Sequence, residues 1–304
     1  KIVVSADGTA DFNTVQGALD YIPDFTPLTL EQKTENTDDN GGWHIYIRNG
    51  DYEEIVYFRN KRHVTIEGES REGVVVHYPN CEVFNPHPWE VKTNECVGTF
   101  PSRRASFMCD NGYGITLMNL TLRTDCRGQA EALLIMGVDN RVYNVTIDGS
   151  GDALQVNGPT YFENCSILGH GDTVMGRGPA FFRNCTITSP AYITRPRSTE
   201  KNHGYVFVNC TFNGQGDRAI LGRTPANDIY PAAEAVLIDC VLDNIVPEGW
   251  GPLEGDVSKA RLWEYNSRHA DGTPVDVSKR HPASRQLDRV KDAEIIERCS
   301  NPFY

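Results

Sequence analysis

Long apolar runs are missing from this chain of 304 residues; no stretch approaches the ~18 residues a membrane-spanning helix needs, so no membrane span is expected. Positive charge is scarce. Lys and Arg number 29 against 41 Asp and Glu, a net charge of −12 with a pI near 5.1, which argues against nucleic acid or an anionic membrane surface as a partner. No two cysteines have the CxxC spacing of a zinc site, and neither a metal nor another cofactor is expected. No low-complexity linker divides the chain, so a single domain over 1–304 is expected. No signal peptide is visible, and an opening at Lys1-Ile-Val-Val4 fits a trimmed or mature form.

What is present is a repeat. It reads Asn119-Leu-Thr-Leu122, Asn144-Val-Thr-Ile147, Asn164-Cys-Ser-Ile167, Asn184-Cys-Thr-Ile187, Asn209-Cys-Thr-Phe212 and Asp239-Cys-Val-Leu242, at intervals of 25, 20, 20, 25 and 30 residues. Each unit alternates β-branched with polar residues and lacks helical spacing, so the repeating element is a strand. Two residues before each Asn or Asp stands an apolar residue: Leu117, Val142, Phe162, Phe182, Phe207 and Leu237. One residue after it stands another, Leu120, Val145, Cys165, Cys185, Cys210 or Cys240. Apolar residues three apart violate strand parity, so the chain bends at the Asn, which tolerates the left-handed backbone of a corner. Strand, corner and strand, stacked coil on coil, predict an all-β chain folded as a right-handed parallel β-helix. The Asn side chains and the thiols should form ladders along the stack.

A second phrase follows the corners: Gly149-Ser-Gly-Asp152, Gly169-His-Gly-Asp172, Ser189-Pro-Ala-Tyr192 and Gly214-Gln-Gly-Asp217. Asp152 and Asp172 therefore share a phase in consecutive coils, about 4.8 Å apart by the strand spacing. Like charges stacked this way are unfavourable. Such a pair holds a cation, shares a proton or splits the roles of acid and anion; the bland alternative is two turn residues splayed into solvent.

Elsewhere, Phe12, Val15, Ala18, Leu19 and Ile22 follow helical spacing up to Pro23, predicting, with the strand Ile2–Val4, a cap over residues 1–23 that covers the open end of the stack. Strands are expected at His44–Ile47 and Val64–Ile66, a surface insertion at 24–42 and a long loop at 77–104. The tail, 257–304, is expected to be loop-rich, with one helical stretch near Ala283–Cys299, and to pack on the outside. The four ladder cysteines read as buried small hydrophobes, and Cys81 and Cys96 could form a disulfide. Five corners spell Asn-x-Ser/Thr and read as structural, on the expectation that they are partly buried.

Laid out in this way, the chain resembles the β-helical pectin methylesterases from Val3 to about Asn266. Val3-Val4, Asp7-Gly8, Asp11-Phe12 and Thr14-Val15-Gln16 match the family's opening signature, and Gly50-Asp-Tyr52-Glu-Glu54 its GxYxE motif. Gln129-Ala-Glu-Ala-Leu133 matches QAxAL, Gly151-Asp152-Ala-Leu154 stands at QDTL, Asp172-Thr-Val-Met-Gly176 at DFIFG, and Leu221-Gly222-Arg223 opens LGRPW. The resemblance implies hydrolysis of galacturonate methyl esters, with Asp152 as general acid/base and Asp172 as nucleophile. It further implies Arg223 as the guanidinium that holds Asp172 and Gln129 as a donor to the oxyanion.

The chain also departs from the family pattern. The second Gln is Gly151, the FIF triplet is Thr173-Val174-Met175, the Trp after LGRP is Pro225, and the interval from Asp172 to Arg223 is shorter. His170, Thr173, Met175 and Tyr192 are the residues expected to line the substrate cleft, with His170 a candidate replacement donor. Arg177 and Arg195 read as solvated basic residues, with contact to sugar carboxylates the alternative, Asp217 as structural, Tyr52 and Glu54 as support, and Trp250 and Trp263 as either cleft wall or packing. The implied partner is a pectic polysaccharide or oligosaccharide met outside the cell, in a periplasm or at a cell surface, by a monomer. A polygalacturonase or pectate lyase on the same fold, or a non-catalytic glycan-binding β-helix, are the alternatives. Against the hydrolase stands the lack of its adjacent Asp pair and Arg-x-Lys.

Overall fold

The computed structural model describes residues 1–25, 42–85, 104–224 and 230–301. Each complete coil contributes one short strand to each of three parallel sheets. In one coil these are Thr160–Glu163, Ser166–Leu168 and Val174–Gly176; in the next, Ala180–Arg183, Thr186–Ser189 and Tyr192–Pro196. Among the described residues the first sheet has 11 strands, running from Ile2–Val4 to Ser284–Gln286, and the other two have eight each. Every pairing of strands in the stack is parallel, and register runs residue to residue, as in Phe162 on Phe182 and Ile167 on Ile187. The chain is a right-handed parallel β-helix.

The corners form as the repeat requires. Asn119, Asn144, Asn164, Asn184, Asn209 and Asp239 all have φ between 52° and 56°. Their side chains bond up the stack, Asn144 Nδ2 donating to Asn119 Oδ1 at 2.9 Å and Asn209 Nδ2 to Asn184 Oδ1 at 2.6 Å. One expectation about them fails: Asn164, Asn184 and Asn209 are exposed rather than partly buried. The sharp corner that turns the flanking apolar residues inward turns the Asn side chain outward.

The core is layered in the same period. Phe162, Phe182 and Phe207 stack almost flat, with ring centroids 4.7 and 4.6 Å apart and interplanar angles of 11° and 13°. Offset stacking of this kind adds to the area each ring buries. Cys165, Cys185, Cys210 and Cys240 are buried free thiols; burial pushes the Cys240 thiol up to about 12, so the column is inert packing. Cys81, also free, lies against Cys126, whose thiol burial and Cys81 push up to about 11. The partner expected for it, Cys96, lies outside the described residues, as do most of the 24–42 insertion, Trp89 and Pro225.

Helix α1, Val15–Tyr21, caps the N-terminal end, with Thr14 accepting from Gly17 N. Glu54 accepts from Val15 N and Gln16 N at 2.8 Å each, so the GxYxE glutamate neutralises the first turn of the helix. Tyr52 is buried and donates to Arg48 O at 2.8 Å. Both residues support the fold, as expected. The tail differs in detail from the helical stretch expected over 283–299. Ser284–Gln286 is a strand that ends the first sheet, and only Ala293–Cys299 is helical, as α2. Asp288 accepts from Val290 N and Lys291 N, and Asp292 accepts from Asp288 N; these side-chain bonds hold a turn where a helix would otherwise begin. Helix α2 then packs Ile295, Ile296 and Cys299 on Val206, Val236 and Ile238, on the outer face of the first sheet. Trp263 belongs to this outer cluster, and Trp250 is buried, donating to Glu264 Oε1 at 3.2 Å. Both are packing residues.

Candidate active site

The site lies where each coil turns from the sheet of Ser166–Leu168 into the sheet of Val174–Gly176. Isolated parallel bridges join Gln129 to Gly151 and Gly151 to Gly171. The next rung up the turn stacks Asp152 on Asp172, with Asp152 N donating to Gly171 O at 3.0 Å. The column continues to Tyr192, whose carbonyl accepts from Thr173 N at 3.3 Å. Both aspartates have left-handed backbones, φ 59° and 44°. A non-glycine residue in that region is strained, and such strain collects at functional sites. Both are only 6 % exposed, so they are not splayed into solvent.

Their surroundings differ. Arg223 grips Asp172 with Nε on Oδ1 at 2.8 Å and Nη2 on Oδ2 at 2.6 Å. The Arg223 guanidinium lies 4.3 Å above the Tyr192 ring. Arg195 adds Nη1 on Oδ2 of Asp172 at 3.3 Å, so this arginine is part of the site and not the solvated residue expected. Asp152 meets Arg104 instead, Nη2 to Oδ2 at 2.7 Å. Burial pushes the Asp152 carboxyl up to about 6; Arg104 opposes the rise and the charge of Asp172 adds to it. Two stacked carboxyls are thus differentiated, one bound by a bidentate arginine and one that keeps its proton to near-neutral pH.

Arg104 also orients Gln129. Its Nη1 donates to Gln129 Oε1, and a guanidinium can bond only the oxygen of an amide. The –NH2 end of this exposed side chain is therefore the end turned away from Arg104. On its other edge, Arg104 Nε donates to both oxygens of Glu131 at 2.8 Å, and Glu131 is fully buried.

The family comparison follows the same length of chain as these contacts. The family model described as Pectinesterase matches residues 1–294. The chain belongs to the pectinesterase family. Pectinesterases are carboxylic ester hydrolases, and so is this chain. It is similar to "Probable pectinesterase 8" of Arabidopsis thaliana, 25% identical over 313 residues that cover 97% of this chain and 73% of the relative. Among solved structures it is similar to the pectin methylesterase from carrot, with a TM-score of 0.75 and 19% identity, covering 100% of this chain and 97% of that one. It is also similar to a pectin methylesterase in complex with a hexasaccharide, with a TM-score of 0.72 and 22% identity, covering 97% and 94%. At such identities the solved structures speak for the fold, which this pectinesterase keeps over the whole stack.

Other expected site residues fall into place unevenly. Met175 is 4 % exposed and sits in the outward row of the sheet that holds Val174–Gly176, between Gln155 and Arg195. Tyr192 is half-buried under Arg223. Thr173 is fully buried, its Oγ1 without a hydrogen-bond partner, so it does not face the cleft; in this phrase the rung after each aspartate turns inward. His170 is exposed at the rim, its Nε2 2.5 Å from Arg127 Nη1, and burial and then Arg127 lower its pKa. Arg177 donates to the Tyr230 hydroxyl at 2.8 Å, and Asp217 is a solvent-exposed turn residue. A hollow of about 400 Å³ lined by Tyr161, Phe181 and His203 lies at the opposite turn and contains none of the groups described above.

Sequence reasoning missed Arg104, Glu131 and Arg195. A signal for the first two was present: Glu131 interrupts the apolar run Ala130–Ile135, and a buried acid requires a cation.

Proposed function

We propose that this pectinesterase hydrolyses methyl esters of galacturonate in a pectic polysaccharide or oligosaccharide, with Asp172 as nucleophile and Asp152 as general acid and then base. The observation that carries the reading is the differentiated pair itself: Asp172 in the fork of Arg223 and Asp152 raised to about 6 beside it. Asp172 attacks the ester carbonyl, and negative charge develops on the carbonyl oxygen. The Gln129 amide is the donor for that oxygen; removing one such donor typically loses ~3–4 kcal/mol of transition-state stabilisation. As the tetrahedral intermediate collapses, Asp152 gives its proton to the departing methoxide, and methanol leaves. The ionised Asp152 then takes a proton from water, whose oxygen attacks the acyl–Asp172 anhydride and frees the acid.

A pectic chain as substrate is supported by the hexasaccharide bound to a structural relative. The arginines around the cleft suit a substrate whose neighbouring sugars carry carboxylates. Methanol release from highly methylated pectin, followed in a pH-stat together with chain length, tests the reading. Methanol without chain shortening supports it; new reducing or unsaturated ends indicate a hydrolase or lyase, and no reaction indicates a glycan binder. Asp172→Ala should abolish methanol release, and survival of activity would remove Asp172 from the nucleophile's role.

A further inference from the structure

We propose that Arg104 is a positioning residue for ester cleavage: it aims the Gln129 amide at the oxyanion and fixes Asp152, while buried Glu131 holds Arg104 in that pose. The inference rests on the roles assigned above to Gln129 and Asp152, and it adds two residues to them.

The ladder shows how Arg104 comes to be there. Ser106 N donates to Glu131 O, and Ala130 N to Gly151 O, both at 2.9 Å. These bonds have the form of Asp152 N to Gly171 O, so Arg104, Ala130, Asp152 and Asp172 follow one another in a single column. Ala130 has no side chain beyond Cβ, which leaves Arg104 room to reach past it to Asp152, two coils away. Its three nitrogens go to three acceptors: Nε to Glu131, Nη1 to Gln129 and Nη2 to Asp152. Only a planar guanidinium spans three acceptors in this way; an ammonium cannot. Arg104 is 4 % exposed and Glu131 not at all. Replacing a buried ion pair by apolar side chains is commonly neutral or stabilising, so folding alone does not explain the pair. Where the family pattern has a second glutamine, the chain has Gly151, which leaves Gln129 as the side-chain donor whose aim matters.

The charged groups facing Asp152 are Arg104, Asp172, Arg195 and Arg197; Glu131 faces Arg104 and Asp152, and Glu82 lies near Arg104. Burial pushes the Glu131 carboxyl up to about 7, with Arg104 opposing the rise and Asp152 adding to it; Arg104 is the main charge that holds the Asp152 carboxyl down against burial. Without Arg104 the proton on Asp152 should be kept to higher pH.

Three variants test this: Arg104→Lys, Glu131→Gln and the double change Arg104→Met/Glu131→Leu, chosen to keep the interior filled and uncharged. Two readouts are used, a carboxyl ¹³C titration of Asp152 without substrate, and kcat, KM and pH profile for methanol release. Arg104→Lys should lower kcat by ~10²-fold or more, as loss of an oxyanion donor does, with little change in KM. Glu131→Gln takes away the carboxylate that holds Arg104 Nε and should lower kcat by ~10-fold with little change in KM. The double variant should fold, with a Tm near wild type, be as slow as Arg104→Lys, and raise the Asp152 midpoint by ~1 pH unit, the alkaline limb of kcat/KM moving with it. A double variant with wild-type kcat, or with an unmoved Asp152 midpoint, overturns the proposal. A wild-type protein that releases no methanol overturns the ester reading instead, and the substrate-free titration still decides whether Arg104 acts on Asp152.

Discussion

Arg223 and Asp172 meet through both arms of each group, Nε on Oδ1 at 2.8 Å and Nη2 on Oδ2 at 2.6 Å. The two bonds fix the plane of the carboxylate as well as its place. Lysine keeps the charge and loses the fork. Arg223→Lys should therefore lower kcat for methanol release by ~10²-fold through misplacement of the attacking oxygen, with KM nearly unchanged. Steady-state kinetics on methylated oligogalacturonates reads the split, and a rise in KM at constant kcat would assign Arg223 to binding instead.

In the proposed mechanism the first chemical step requires Asp152 to carry its proton. Since that carboxyl is raised to about 6, with burial the main cause, kcat/KM should be level below pH 6 and fall by ~10-fold per unit above it. A profile of kcat/KM from pH 4.5 to 8.5 checks this. A rate that climbs through that interval would mean that Asp152 enters the first step as a base.

The same shift predicts a pH-dependent stability. Folding raises the Asp152 carboxyl from its ordinary 3.8 to about 6, so the folded state binds this proton more tightly than the unfolded one. The stabilisation is full below pH 3.8 and is lost as pH rises through 6, amounting to ~3 kcal/mol at most. Asp152→Asn is neutral throughout, so its Tm should gain on wild type between pH 4 and pH 7. Scanning calorimetry of both proteins at the two pH values measures the change, and a constant difference would contradict it.

Gly151 stands where the family pattern has glutamine, but a side chain there does more than restore a donor. A Cβ at this position would come 2.8 Å from Gly128 O, a backbone atom of the segment that carries Gln129. Gly151→Ala should destabilise the fold by ~1–3 kcal/mol and slow methanol release. Gly151→Gln should fail to raise the rate. Denaturant melts and kinetics of both variants test this, and a faster Gly151→Gln enzyme would show that the turn can yield.

Phe182 lies between Phe162 and Phe207 in the flat stack of the core. Phe182→Ala removes contacts on both ring faces and should reduce stability by ~3–5 kcal/mol. A loss below 1 kcal/mol, judged from chemical denaturation, would mean the coils can close up around the gap.

The repeat made most of the fold legible. A corner Asn with an apolar residue two before and one after it admits one local geometry, and its recurrence every 20–30 residues places each corner above the last. The aspartates at 152 and 172 follow from the same counting, because a parallel ladder conserves phase from coil to coil. Gln129 and Arg223 came from resemblance, through short motifs in the right order. Where the period breaks, legibility ends. In the tail the spacing predicts a helical stretch near 283–299, but Asp288 and Asp292 side chains hold a turn that spacing does not reveal. Thr173, expected to line the cleft, has its rung facing the interior.

The sequence by itself determined the coil, the corner and the shared phase of two carboxyls, since all three are set by local backbone sterics and a fixed strand spacing. The tertiary structure alone decided which cations those carboxyls meet. Arg104 lies 48 residues from Asp152 and Arg223 lies 51 from Asp172, and no periodicity relates members of these pairs. A long side chain can reach across one coil or two, over a neighbour as small as Ala130, and which one it reaches depends on room that exists only once the coils have stacked.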